Sequence, residues 1–102
     1  MLMTRTITVG AAQLGPIQKA EVRVSVVNRL LALMEKAHAR GCQLIVFPEL
    51  ALTTFFPRYY MEDQTEVDEW FETSIPSNST QPLFDAAQRY GMGFHLGYAE
   101  KV

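Results

Sequence analysis

Cysteine is almost missing from this chain: Cys42 is the only one in 102 residues. An internal disulfide framework is therefore excluded, and the composition fits a reducing, cytoplasmic location. Histidine is also sparse, and two residues as far apart as His38 and His95 make no metal motif. Neither sign of charge dominates, with 9 Lys+Arg against 11 Asp+Glu and a formal net charge of -2. Without a clustered basic surface there is no footprint for nucleic acid, and the scattered charges read as solvated surface. Long apolar runs are missing too. The amino end, "MLMTRTITVGAAQLGP", is broken by Gln13 and lacks a signal-peptide core, and no stretch approaches membrane-spanning length. What is left is a soluble protein of 48% hydrophobic residues, enough for one small domain and not for two.

The patterning alternates strands with helices. "RTITVGAAQ", residues 5–13, alternates Ile7, Val9 and Ala11 with Thr6, Thr8 and Gly10, a β pattern closed by the Gly15-Pro16 turn signal. From about Glu21 to Arg40, Val22, Val26, Leu30, Leu33/Met34 and Ala37 recur at helical spacing. Gly41 suits the stop, and Lys36, His38 and Arg40 suit the last turn. "QLIVF", residues 43–47, is a continuous apolar run, as expected of a strand buried on both faces. Residues 61–73 read as a short acidic helix with Val67, Trp70 and Phe71 inward. Ser79 or Thr80 is a candidate cap for a helix starting near Pro82 and ending at Gly91. Residues 92–100 read as a strand with Met92, Phe94, Leu96 and Tyr98 on one face. The order β-α-β-α-α-β predicts an α/β fold. Three strands make a small, poorly closed sheet, so residues 1–102 are expected to be the amino-terminal portion of a single larger domain.

One residue stands out. In open α/β sheets ligands gather beyond the carboxyl ends of the strands, and Glu49 falls there, just after Pro48 halts the strand 43–47. A carboxylate so close to an apolar strand must be paired or put to use. It is a candidate catalytic group, a candidate cap of a following helix, or a partner for an arginine such as Arg58.

The run "LIVFPELALTTFFPR" closely resembles the glutamate signature of the nitrilase superfamily of carbon–nitrogen hydrolases. Within it, "LALTTFFPR" and "GFHLGYAE" are similar to the N-carbamoyl-D-amino acid amidohydrolases, as are the opening strand with "AAQLGP" and the helix ending "ARGCQLIVFPEL". The resemblance covers essentially the whole chain. It implies a four-layer α-β-β-α sandwich, no metal or organic cofactor, homo-oligomers, and a Glu-Lys-Cys triad whose glutamate falls on Glu49. The implied reaction is hydrolysis of an N-carbamoyl-D-amino acid to the D-amino acid, carbon dioxide and ammonia. A β-ureidopropionase, a carbamoylputrescine amidase, an ω-amidase or a non-catalytic βαβ module are the alternatives. The family's lysine and cysteine belong to a region downstream of these residues, so the 102-residue chain alone is expected to be inactive.

No residue present substitutes for them. Cys42 precedes Glu49 by seven residues, about 23 Å along an extended strand, and the odd spacing sends the side chains to opposite faces. That is out of reach for a base and its nucleophile. Lys19 and Lys36 read as solvated surface, and His95 as a hydrogen-bonded structural residue. Among the aromatics after Glu49, Phe56 is the candidate wall of a substrate pocket. Arg58 is either a carboxylate clamp or a salt-bridge partner.

Overall fold

The computed structural model describes residues 4–102. Met1–Met3, the head of the segment read as lacking a signal core, lie outside them. Three short parallel strands, β1 (Val9–Ala11), β2 (Leu44–Val46) and β3 (Gly93–His95), form one sheet in the order β1-β2-β3. Val9 stands beside Leu44 and Leu44 beside Gly93, and the register holds through Ala11, Val46 and His95. The backbone of Gln43 donates to Thr8 and that of Ala12 to Val46, each at 2.8 Å, extending the pairing by one bond at either end. Beyond β2 the proline at 48 has no N–H to offer, so the strand is shorter than its apolar run.

The helix between the first two strands, α1 (Arg23–Ala39), buries Val26, Val27, Leu30, Met34 and Ala37. Its stripe starts one turn later than the periodicity suggests, because Val22 sits at the N-cap position and is 68% exposed. Glu21, expected inside the helix, lies just before it and binds Ser25 and Arg29 with its carboxylate. Gly41 ends the helix with φ 77°, a left-handed conformation that costs an L-residue about 1–2 kcal/mol and glycine nothing.

The second half keeps the expected order with shorter elements. After a single 3-10 turn at Phe56–Arg58 comes α2 (Gln64–Asp68), whose first turn is capped by the Asp63 side chain accepting from Thr65 N. The helix expected over 61–73 is thus one and a half turns, with Val67, Trp70 and Phe71 half-buried. α3 (Gln81–Tyr90) has Pro82 in its first turn and ends at Gly91, φ 60°. Thr80 occupies the N-cap position, but its hydroxyl is taken by Ser77 in the preceding turn and does not cap the helix.

Both long helices pack on one face of the sheet. Ile45 and Phe47 are 2% and 3% exposed in a core with α1, Leu83 and Ala86 of α3, and Met92. Phe94 leans on the same face, edge-on to Phe84 with centroids 5.1 Å apart. The expectation that strand 43–47 is buried on both faces is met on one face alone. Leu44 and Val46 point the other way and are half-buried, and Ile7 and Val9 beside them are 60% and 49% exposed. The reason lies in β1. Its close approach to α1 is made by Gly10, where a Cβ would stand 3.2 Å from Cys42 Sγ and 3.7 Å from Ala37 Cβ. The apolar alternation Ile7, Val9, Ala11 consequently looks away from the helices. The described residues thus make an α/β pair of layers, one helical and one parallel sheet.

Candidate functional site

A cleft of about 180 Å3 opens beyond the carboxyl ends of β1 and β2. One wall is the turn leaving β1, with Gly15 and Pro16, and the other is the loop leaving β2, with Glu49, Leu50, Phe55 and Arg58. The first wall is held by α1: Arg29 donates to the carbonyls of Leu14 at 2.8 Å and Pro16 at 3.1 Å, and pairs with Glu21 at 2.7 Å.

The second wall is held by β3. Phe47 N donates to His95 O before Glu49, and Ala51 N donates to Gly97 O after it, both at 3.0 Å. Ala51, Leu52 and Thr54 are buried behind the loop at 1%, 3% and 2% exposure. Between these anchors Leu50 adopts φ 48°. A leucine in the left-handed region costs about 1–2 kcal/mol and persists only where its surroundings enforce it. Glu49 itself is exposed to the cleft. It caps no helix, since the 3-10 turn that follows begins from Phe55. Arg58 donates to the Tyr59 hydroxyl at 3.0 Å, and among the described residues no hydrogen bond or ion pair engages the Glu49 carboxylate.

Phe56 is turned away from this cleft. It is 7% exposed, stacked on Trp70 with centroids 6.1 Å apart and tilted against Phe71 at 5.4 Å. Its neighbour Phe55, 53% exposed, is the aromatic beside Glu49. Arg58, which lines the cleft, has its Cζ 5.1 Å from the centre of the Tyr59 ring, and Lys19 Nζ lies 4.8 Å from the same ring. Hydrogen bonds from Arg58 and Thr54, with the positive charge of Arg58 and Lys19, hold the Tyr59 phenol below its usual value of 10.0.

The remaining candidates are dispersed. Cys42 is half-buried at the amino end of β2, the end remote from Glu49, where it shares a groove with Lys36 and Arg40. Of the three lysines, the last, Lys101, pairs with Asp68 at 2.7 Å. His38 stacks on Tyr90 with centroids 4.4 Å apart. His95 is exposed on the uncovered face of the sheet, and among the described residues its ring makes no hydrogen bond, contrary to expectation. Among the described residues no group of three His, Cys, Asp or Glu is placed to hold a metal ion, and no helix is long and apolar enough to cross a membrane.

The family model for carbon-nitrogen hydrolases matches residues 8–102. The chain belongs to the carbon–nitrogen hydrolase family. In this carbon–nitrogen hydrolase region the carboxylate can accept a proton, but no thiol stands near it to give one. Three contributors to the site escaped the sequence: Phe55, the Gly15-Pro16 wall and Gly97. The strand-end rule that singled out Glu49 applies equally to the turn after β1 and points to that wall. No sequence signal separates Phe55 from Phe56, because the 3-10 turn decides which ring is buried.

Proposed function

We propose that these residues form the amino-terminal portion of a hydrolase of N-carbamoyl-D-amino acids, with Glu49 as its general base. The carrying observation is the Glu49 carboxylate, unpaired and cleft-facing on a loop anchored at both ends. The similarity of "LALTTFFPR" and "GFHLGYAE" to the D-carbamoylases supports the choice of substrate within the family. In the complete enzyme a lysine and a cysteine from outside these residues finish the triad. A second sheet covers the face bearing Val9, Leu44 and Val46, making the four-layer sandwich. Its partner at the site is a small N-carbamoyl amino acid, and its setting is the cytoplasm.

The carbamoyl carbon is a poor electrophile because two nitrogens donate into it. A thiolate therefore has to be generated, and Glu49 does this by taking the cysteine's proton. The lysine's charge beside the developing oxyanion lowers the barrier further. Glu49 then activates the water that breaks the covalent intermediate. The exposed Phe55 ring, rather than the Phe56 ring, meets the substrate side chain.

The test is Glu49→Gln in the enzyme carrying the lysine and cysteine. Ammonia release from N-carbamoyl-D-phenylglycine should fall by roughly a hundredfold or more with the fold unchanged. Wild-type turnover in a correctly folded variant assigns the carboxylate to structure. Preferred hydrolysis of β-ureidopropionate or N-carbamoylputrescine moves the substrate assignment elsewhere in the family.

A further inference from the structure

Gly97 lies two residues past the end of β3, alongside the loop that bears Glu49. A Cβ placed on it would stand 3.4 Å from Glu49 Cα, 3.5 Å from Leu50 N and 3.6 Å from Pro48 O. Its backbone is not left-handed; Gly15, Gly41 and Gly91 are the glycines with positive φ. What distinguishes position 97 is therefore its surroundings, not an unusual conformation. Those surroundings are specific. At Gly93 the nearest neighbour is the tip of the Leu44 side chain, and at Gly10 it is Cys42 Sγ, and both are side chains. Among the described glycines, Gly97 is the one whose three nearest neighbours are all backbone atoms, and a backbone cannot rotate out of the way.

We propose that Gly97 is a positioning residue for Glu49: the bare backbone of residue 97 seats directly on Pro48–Leu50 and fixes where the carboxylate enters the cleft. The inference rests on Glu49 being the general base. Two further observations point the same way. The Gly97 carbonyl accepts the 3.0 Å bond from Ala51 N, so one residue provides both the bond and the contact that hold the loop. Leu50, in between, is kept at φ 48°, a conformation that would relax without enforcement from outside. The geometry sets a graded response. An alanine methyl at 3.4 Å is in ordinary contact and fits. A serine adds one atom beyond it and a valine two, and with the Cβ already in contact with Pro48–Leu50 the added bulk is expected to press that backbone away from β3. A shift of about 1 Å in a catalytic group is enough to cost about a hundredfold in rate.

Two readouts test this. In the enzyme carrying the lysine and cysteine, Gly97→Ala should keep kcat within about threefold. Gly97→Val should lower it by about a hundredfold with KM nearly unchanged, and Gly97→Ser should fall between. In the chain itself, hydrogen exchange followed by mass spectrometry should quicken over residues 47–54 in Gly97→Val and not in Gly97→Ala, with α1 unchanged. Wild-type kcat and unaltered exchange in Gly97→Val overturn the proposal. So does a Gly97→Val chain that exchanges faster everywhere while Gly97→Ser behaves as wild type, since that pattern belongs to a general packing site. If Glu49→Gln keeps full activity, the general-base reading fails by itself, and the exchange over 47–54 still decides whether Gly97 clamps the loop.

Discussion

Phe55 and Phe56 are chemically identical neighbours with opposite fates, one 53% and the other 7% exposed. The buried ring joins Trp70 and Phe71 in a cluster that ties the loop after Glu49 to the segment following α2. Phe56→Ala should therefore destabilise the fold by about 3 kcal/mol, the usual result of emptying a buried phenylalanine site. Trp70, the only tryptophan, reports denaturant unfolding through its fluorescence. A change well under 1 kcal/mol would mean that the stack contributes little. Tyr59 offers a titration at the same scale. Its phenol is pulled down by Arg58 and Thr54, whereas Tyr98 is pushed up by burial and by the negative charges of Glu100 and Glu72. Absorbance during alkaline titration should show Tyr59 ionising before Tyr98, and Arg58→Ala should return Tyr59 towards 10.0. An acid lowered in the folded state stabilises it fully above its unfolded pKa, and the effect fades as pH falls through the folded value. The Arg58–Tyr59 contact therefore adds stability only in alkaline solution through this route, and none at neutral pH.

At the scale of elements, the ends of the helices decide where the next strand begins and what ties the layers together. Gly91 ends α3 at φ 60°, turning the chain so that Met92 is buried and β3 starts two residues on, at Gly93. A Cβ at position 91 would meet nothing within 4 Å. Gly91→Ala should consequently cost about 1 kcal/mol from backbone conformation alone, measurable as a shift of the denaturant midpoint at unchanged slope. A neutral result would show that the chain relaxes out of the left-handed conformation at little cost. Another link between elements is the ion pair of Arg23, at the start of α1, with the buried Glu72, whose backbone bridges Glu100. It secures the strand extension beyond Gly97 to the helix layer.

For the whole molecule, the decisive feature is the sheet face opposite the helices. Ile7 and Val9 are mostly exposed there, with Leu44 and Val46 half-buried beside them. The face carrying Met92, Phe94, Leu96 and Tyr98 is instead the one packed on the core. Contiguous apolar surface of this kind drives association, and the unpaired outer edges of β1 and β3 offer a second route. The 102-residue chain should self-associate in sedimentation and bind an apolar dye, and Ile7→Ser with Val9→Ser should reduce both. A monodisperse monomer without dye binding would show that this face is stable in water.

The sequence by itself determined the order of elements and the place of Glu49. Helical periodicity, Gly41 and Gly91 as stops, and Pro48 after an apolar run are local signals that neighbours along the chain are enough to interpret. It also carried the family resemblance, because "LIVFPELALTTFFPR" is one continuous stretch. Strand lengths were not legible, since a ladder extends only as far as its partner does, and β2 is limited by the proline after it. Nor was the orientation of β1: Ile7, Val9 and Ala11 alternate correctly for a strand, but only the approach of α1 at Gly10 decides which set faces the helices. The clamp on the Glu49 loop was beyond sequence reasoning for the same reason. Gly97 and Glu49 are 48 residues apart, and packing alone brings one backbone onto the other.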